Sequence, residues 1–136
     1  MKTTEDIKDL LYSYLAKSEL KKAVTGDIYV DQRPQGSIKE DVVIGAIDLG
    51  SGSVQHGAFN VNIHVPAVTV KIGKVEQSQP DRKRLRLLSR IAIDLLKEVI
   101  LGGVCSVWVA NQTVIKEPNL DNWFANIRLE IRTHEV

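Results

Sequence analysis

Apolar residues in the first part of the chain fall at helical spacing. Ile7, Leu10, Leu11, Tyr14 and Leu15 share one face, with Lys8, Asp9, Ser13 and Lys17 outside it. Thr3 followed by Asp6 has the form of a capping box, and Glu5 and Asp6 suit the positive end of the helix dipole. This pattern predicts an N-terminal helix, then a short turn from Ser18 to Ala23 ahead of Gly26. From Asp27 the period becomes alternating. Ile28 and Val30 flank Tyr29, and Gln32-Arg33-Pro34-Gln35-Gly36-Ser37 has the composition of a loop. Val42, Val43, Ile44, Ala46 and Ile47 predict a strand from Asp41 to Leu49, buried on both faces or nearly so, which Gly50-Ser51-Gly52-Ser53 ends. Phe59, Val61, Ile63 and Val65 alternate with Asn60, Asn62 and His64, as in a half-buried strand, and Pro66 restricts its end to an edge or bend.

Between Ala67 and Pro80, Val68, Val70, Ile72 and Val75 alternate with polar residues, which fits a strand extension or an extended arm. Gln77-Ser78-Gln79-Pro80 has the composition of a turn into a second helix. That helix carries its apolar face on Leu85, Leu88, Ala92, Leu95, Leu96 and Val99, widened by Leu87 and Ile91, with Gly102-Gly103 as its stop. Two strands follow, Val104 to about Lys116 and Trp123 to Arg132. In the second, Trp123, Ala125, Ile127, Leu129 and Ile131 oppose Asn126, Arg128, Glu130 and Arg132. The predicted order α-β-β-β-α-β-β is that of an α+β fold, a mostly antiparallel sheet with two helices packed on one face. The chain has no internal repeat, low-complexity tract or linker.

Composition bounds this picture. With 136 residues, 43% apolar and 26% charged, the chain fits a single domain over residues 1–136 that needs no covalent or metal staple for its core. Its one cysteine, Cys105, excludes an intramolecular disulfide, and Val104 and Val107 beside it mark a small buried hydrophobe. The first residues lack the basic start and apolar run of a signal peptide, and no apolar stretch approaches the roughly 20 residues that span a bilayer. A soluble, intracellular chain without a membrane partner is the expectation.

The net charge of +1 conceals an asymmetry: residues 71–90 hold seven cations against two anions, a local +5, which leaves −4 on the rest. Arg82, Lys83, Arg84 and Arg86 crowd a helix start, where the dipole disfavours cations by roughly 0.3–1 kcal/mol each. Arg82, Arg86 and Arg90 fall at i, i+4 and i+8 on one stripe. The stripe is either a solvated face or a seat for a partner's carboxylates or phosphates.

Candidate chemistry is sparse. Asp48-Leu49-Gly50-Ser51-Gly52-Ser53 superficially resembles the phosphate hairpin of actin-like ATPases, but no helix follows it and a plain hairpin loop accounts for it. Ser18-Glu19-Leu20-Lys21 has the S-x-x-K form without its partner motifs, and the sequon Asn111-Gln112-Thr113 matters only in a secreted chain. His56, His64 and His134 lie far apart, without metal-ligand spacing. Glu5-Asp6 and Glu40-Asp41 stand at the starts of elements, where capping and solubility explain them. No catalytic residue, metal site, cofactor or small-molecule substrate is predicted, and the chain is expected not to be an enzyme.

A capped N-terminal helix leads into Gly26-Asp27-Ile28-Tyr29-Val30, then Arg33-Pro34-Gln35-Gly36 and a hydrophobic strand. The long helix follows, and the end carries Glu117-Pro118-Asn119-Leu120-Asp121 before Trp123-Phe124-Ala125-Asn126-Ile127-Arg128-Leu129. In element order, length and loop placement, nearly the whole chain resembles the tail-terminator (tail-completion, head–tail joining) proteins of long-tailed phages and prophages. Its local motifs are the Arg-Pro-x-Gly loop and the aromatic-x-Asn-Ile-Arg strand. The resemblance implies a non-catalytic subunit of a ring, typically six-membered, that caps the tail tube and joins it to the head. Its partners would be other copies of itself, the tail tube protein and a head-completion or connector protein, with DNA passing through the lumen. Its place would be the virion tail, and the host bacterial cytoplasm during assembly.

One segment departs from the family. Residues 66–80 are long and hydrophobic for a free loop, and apolar alternation on an edge invites pairing with another subunit. They are expected to be an assembly element, with an ordinary intramolecular strand as the alternative. Arg33, Pro34, Val70, Ile72, Arg82, Arg86 and Arg90 are the interface candidates, chosen for exposure and charge. The rival reading is a small nucleic-acid-binding module using the basic stripe of residues 71–90. Against it, aromatics are 5% of the chain, and Phe59, Trp108 and Trp123 sit in core-like alternation.

Overall fold

Two long strands form the spine of the molecule. The computed structural model describes residues 1–118 and 120–134; Asn119 of the predicted Glu117–Asp121 segment lies outside the described residues, as do Glu135 and Val136. Strand β3 (Val54–Pro66) pairs antiparallel with β8 (Asn122–His134) over its whole length, from Val54↔His134 to Pro66↔Asn122. Strand β2 (Asp41–Leu49) flanks β3 and β7 (Cys105–Lys116) flanks β8, both antiparallel. The edges are short: β1 (Ile28–Val30) runs parallel to β2, and β6 (Val99–Leu101) antiparallel to β7, giving the order β1-β2-β3-β8-β7-β6.

The fold is α+β, as the alternation predicts, with one face of the sheet covered by helices α1 (Thr4–Leu15), α2 (Glu19–Ala23) and α3 (Arg82–Leu96). Ile7, Leu11 and Leu15 of α1, Leu20 of α2 and Leu85, Leu88, Ala92 and Leu96 of α3 pack on Val42, Ile44, Phe59, Val61, Ile63, Ala125, Ile127 and Leu129. These are alternate positions of their strands, so the intervening residues face away from the helices. There Asn126 Nδ2 donates to Asn62 Oδ1 at 2.7 Å across β3–β8. Helix α1 starts on the Thr3–Asp6 capping box, which holds the Asp6 carboxyl below its ordinary range through the Thr3 backbone and hydroxyl. The Tyr14 hydroxyl donates to the Leu95 carbonyl at 2.7 Å and joins α1 to α3. The Lys8 ammonium, nearly buried, donates to Glu5 and to Asp31, whose backbone stands at φ +66°. Those two carboxylates raise the Lys8 pKa.

Several predicted features differ in detail. Residues 67–80 fold as a separate hairpin, β4 (Val68–Ile72) against β5 (Val75–Gln79), turned at Gly73 with φ +64°. Gln77–Gln79 therefore belong to a strand and not to a turn, because cross-strand pairing from Val68↔Gln79 to Ile72↔Val75 satisfies their backbone. Helix α3 ends at Leu96, and Val99 lies in β6, so Gly102-Gly103 (φ +59° and +72°) form the β6–β7 turn and not a helix stop. Only the first half of β2, Asp41–Ile44, is buried on both faces, and Ile47 is exposed. Trp108 faces Glu130 on the side away from the helices, outside the core, and Leu87 on α3 is exposed.

Phe59, fully buried at the centre of β3, is expected to cost about 3–5 kcal/mol when changed to alanine, whereas Leu87→Ala should stay within about 0.5 kcal/mol. Urea denaturation of the two variants checks this, and a comparable loss in both would contradict the packing described.

Candidate functional site

The β4–β5 hairpin is the most exposed pair of strands among the described residues. Every residue from Val68 to Ser78 is exposed, including Val68, Val70, Ile72 and Val75, the last at 61%. Among the described residues none covers a hydrophobic face of this two-stranded sheet, and isolated hairpins are marginal in water. Its root is fixed by Ser78, which hydrogen-bonds the Asp121 carboxylate, and by the Ala67 amide, which donates to the Asp121 carbonyl at 3.3 Å. Val70 and Ile72 are exposed on this hairpin.

Helix α3 divides its cations. Arg82, Arg86 and Arg90 are exposed and have no anionic partner among the described residues. They line one wall of a groove of about 480 Å³ whose floor is Leu85, Ile93, Val114 and Trp123. The groove is open because β6 covers β7 only at Cys105–Val107, leaving residues 110–116 exposed. Arg84 is different: it donates to both Glu40 oxygens at 2.6 and 2.7 Å and to the Ala23 carbonyl at 2.9 Å. Its pKa is raised by that carboxylate. Glu40 in turn sits against the Thr25–Gly26 corner, where the Gly26 amide donates to the Glu40 carbonyl at 2.8 Å and a Cβ on Gly26 would collide with Asp41.

Arg33 corrects the expectation that it is an exposed interface residue. Its side chain is 10% exposed and bonds Asp41 Oδ2 and Glu117 Oε2, each at 3.2 Å. Ser37 Oγ donates to the same Asp41 oxygen at 2.5 Å, and His64 Nδ1 lies 3.2 Å from the same Glu117 oxygen. His64 also packs on Phe124, ring centroids 5.0 Å apart. Glu40 and Asp41 are therefore buried ion-pair partners, not solubility residues, since burying a carboxylate requires a paired cation. Sequence reasoning passed over Asp41, Glu117 and His64 because their partners lie 8, 84 and 53 positions away, where no local period reaches. Pro34 remains exposed at the tip of this loop, on the rim of a cleft of about 560 Å³ between residues 31–38 on one side and Glu117, Leu120, Asp121 and Asn122 on the other.

This cluster fastens a loop, and each of its charges faces an opposite one. Cys105 is fully buried, which pushes its thiol pKa up to about 11. Among the described residues no three His, Cys, Asp or Glu side chains converge as metal ligands, and no helix is long and apolar enough to cross a membrane.

No known protein family and no curated protein matches the chain in sequence. In structure it is similar to a chain in the virion of a native gene transfer agent particle, with a TM-score of 0.70, 13% identity and 95% of each chain covered. At that identity the likeness is one of fold.

Two outcomes are expected at the Arg33 cluster. Arg33→Met leaves the Asp41 charge buried and unpaired, and should destabilise the chain by about 3 kcal/mol. Burial, then the nearby Arg33, lower the His64 pKa below its ordinary 6.5, against the opposing pull of Glu117 and Asn122. As pH falls through about 6.5 the unfolded chain therefore takes up this proton before the folded one. His64 costs nothing above about pH 7 and removes stability progressively towards its lowered folded value. Urea titrations from about pH 7.5 to 5 should show a flatter loss in His64→Gln than in the wild type; parallel profiles would contradict it.

Proposed function

We propose that this chain is a structural virion-assembly protein of the tail-terminator type. It acts as a single-domain subunit of a homo-oligomeric ring, six-membered by resemblance, that caps the tail tube and joins it to the head without catalysis. The observation that carries the reading is the fold shared end to end with a chain of a gene transfer agent virion. It agrees with the sequence resemblance, which covers nearly the same length. The uncovered β4–β5 hairpin supports it further, since an exposed apolar sheet is stable only where another surface covers it. On this reading Val70 and Ile72 contact a neighbouring subunit or the tail tube, Pro34 and the arginines of α3 lie at contacts, and DNA passes through the lumen. Arg33 has an internal role instead.

Size-exclusion chromatography with light scattering over a wide concentration range, with negative-stain imaging, is expected to find closed rings near six subunits. Val70→Asp with Ile72→Asp should leave the thermal midpoint unchanged, because both side chains are exposed, and should abolish the rings. A double variant that assembles like the wild type would contradict the role given to the hairpin.

A further inference from the structure

Two unanswered features meet along β7. On the side away from β8, β6 pairs with β7 only at Cys105–Val107, so among the described residues no strand lies beside residues 108–116. An open edge of that length offers its backbone donors and acceptors to an incoming chain. Gln112, Val114 and Lys116 stand opposite Ile127, Ala125 and Trp123 in the register, so they share the face that looks towards the helices. On that face lies the groove beside α3, with a floor of Leu85, Ile93, Val114 and Trp123 and a wall of Arg82, Arg86 and Arg90. No acidic side chain lines it. The acids nearest in sequence are engaged elsewhere: Asp81 accepts from the Arg84 amide, and Asp94 pairs with Lys97 at 3.8 Å. Lys116, opposite Trp123, adds a further cation at the end of the edge.

We propose that this groove receives an extended acidic segment of a different protein, which adds to β7 as a further strand. Its helix-ward side chains are an apolar residue over Val114 and Trp123 and, on either side of it, carboxylates that meet the arginines. Charge selects this occupant. Successive arginines of the stripe stand about 6 Å apart along the helix, and same-face residues of an extended chain about 6.6 Å apart. Carboxylates four positions apart on a strand therefore span the stripe from Arg82 to Arg90. A second copy of this chain does not offer such a segment from its exposed apolar surfaces. The β4–β5 hairpin carries Lys71 and Lys74 against Glu76, and the surface at Ile100 and Trp108 mixes Glu98 and Glu130 with Lys97, Arg128 and Arg132. A nucleic-acid backbone would answer the arginines and leave both the apolar floor and the open strand edge without a partner. The inference rests on reading the chain as an assembly subunit and gives the α3 arginines their partner, but it does not need the ring to close.

The probes are two capped peptides, Thr-Glu-Thr-Val-Thr-Glu-Thr and its counterpart with lysine in place of both glutamates. Titrations use the full chain with Trp108→Phe, which leaves Trp123 in the groove as the one indole whose emission can respond. The acidic peptide should shift that emission saturably, and the lysine peptide should bind at least about tenfold more weakly. Arg86→Glu with Arg90→Glu should invert that order at an unchanged thermal midpoint, since both positions are exposed. Amide exchange of residues 110–116 should slow when the acidic peptide is bound. No saturable shift, or equal binding of the two peptides, would overturn the site. Peptide binding without slowed exchange there would overturn the added strand. Salt-dependent binding of duplex DNA that the double variant abolishes, with no peptide preference, would overturn the site in favour of a phosphate ligand. If the double variant loses rings that the wild type forms, a second copy covers the groove and the partner assigned here is overturned. Rings from both, together with the peptide preference, uphold the site and the ring. The same preference in a chain that never forms rings upholds the site and overturns the ring.

Discussion

Because β3 and β8 pair without a break from Val54↔His134 to Pro66↔Asn122, the register of the whole sheet is set by thirteen consecutive partners. A slip of one residue would carry Ile127, Leu129 and Ile131 out of the core and turn Arg128 and Glu130 into it, so the hydrophobic alternation permits a single alignment. The neighbouring strands inherit that register, with bulges absorbing the mismatch at Ala46/Asp48 and Val109/Asn111. Since the buried apolar residues of β3 and β8, Phe59, Val61 and Ile63 with Ala125, Ile127 and Leu129, point one way, all three helices gather on that side. The opposite face is mixed, with Asn62, Asn126, Arg128 and Glu130 beside Trp108 and Phe124, and what β3 leads into after Pro66 is left outside the core.

The charges follow from the same pleat. Glu40 and Asp41 are adjacent, so their side chains diverge: one meets Arg84 from the helix layer and the other meets Arg33 from the loop beyond β1. Two buried carboxylates thereby clamp two separate pieces of chain at one corner, around a glycine that has no room for a side chain. This sorts the basic residues of α3 by role. Arg84 is internal, while Arg82, Arg86 and Arg90 remain on the surface against the preference of a helix start, with an apolar groove beside them.

Much of this is legible in the sequence where one period dominates. The capping box fixes the start of α1, the Gly/Ser run fixes the end of β2, and the Phe59–Val65 and Trp123–Ile131 alternations identify the two spine strands and their buried sides. Legibility fails where two structures share one pattern. Val68–Val75 alternates equally well as an extension of β3 or as a separate hairpin, and only the turn at Gly73 decides it. Val99 continues the spacing of α3 yet pairs with Val107 in β6. The ion pairs of Arg33 and Arg84 are invisible for another reason: they join residues that only the tertiary fold brings together, so Arg33 looks like a loop cation. Arg82, Arg86 and Arg90 of α3 are found by spacing alone, because no anion among the described residues pairs with them.

On the proposed assembly role, the core should stay unchanged while the exposed segments become covered. Hydrogen–deuterium exchange of the same sample below and above its assembly concentration measures this directly. The expected result is slowed exchange in residues 68–79 on assembly, with the β3 and β8 amides equally protected in both states. Identical exchange of that segment in both states, or a change confined to β3 and β8, would contradict the account.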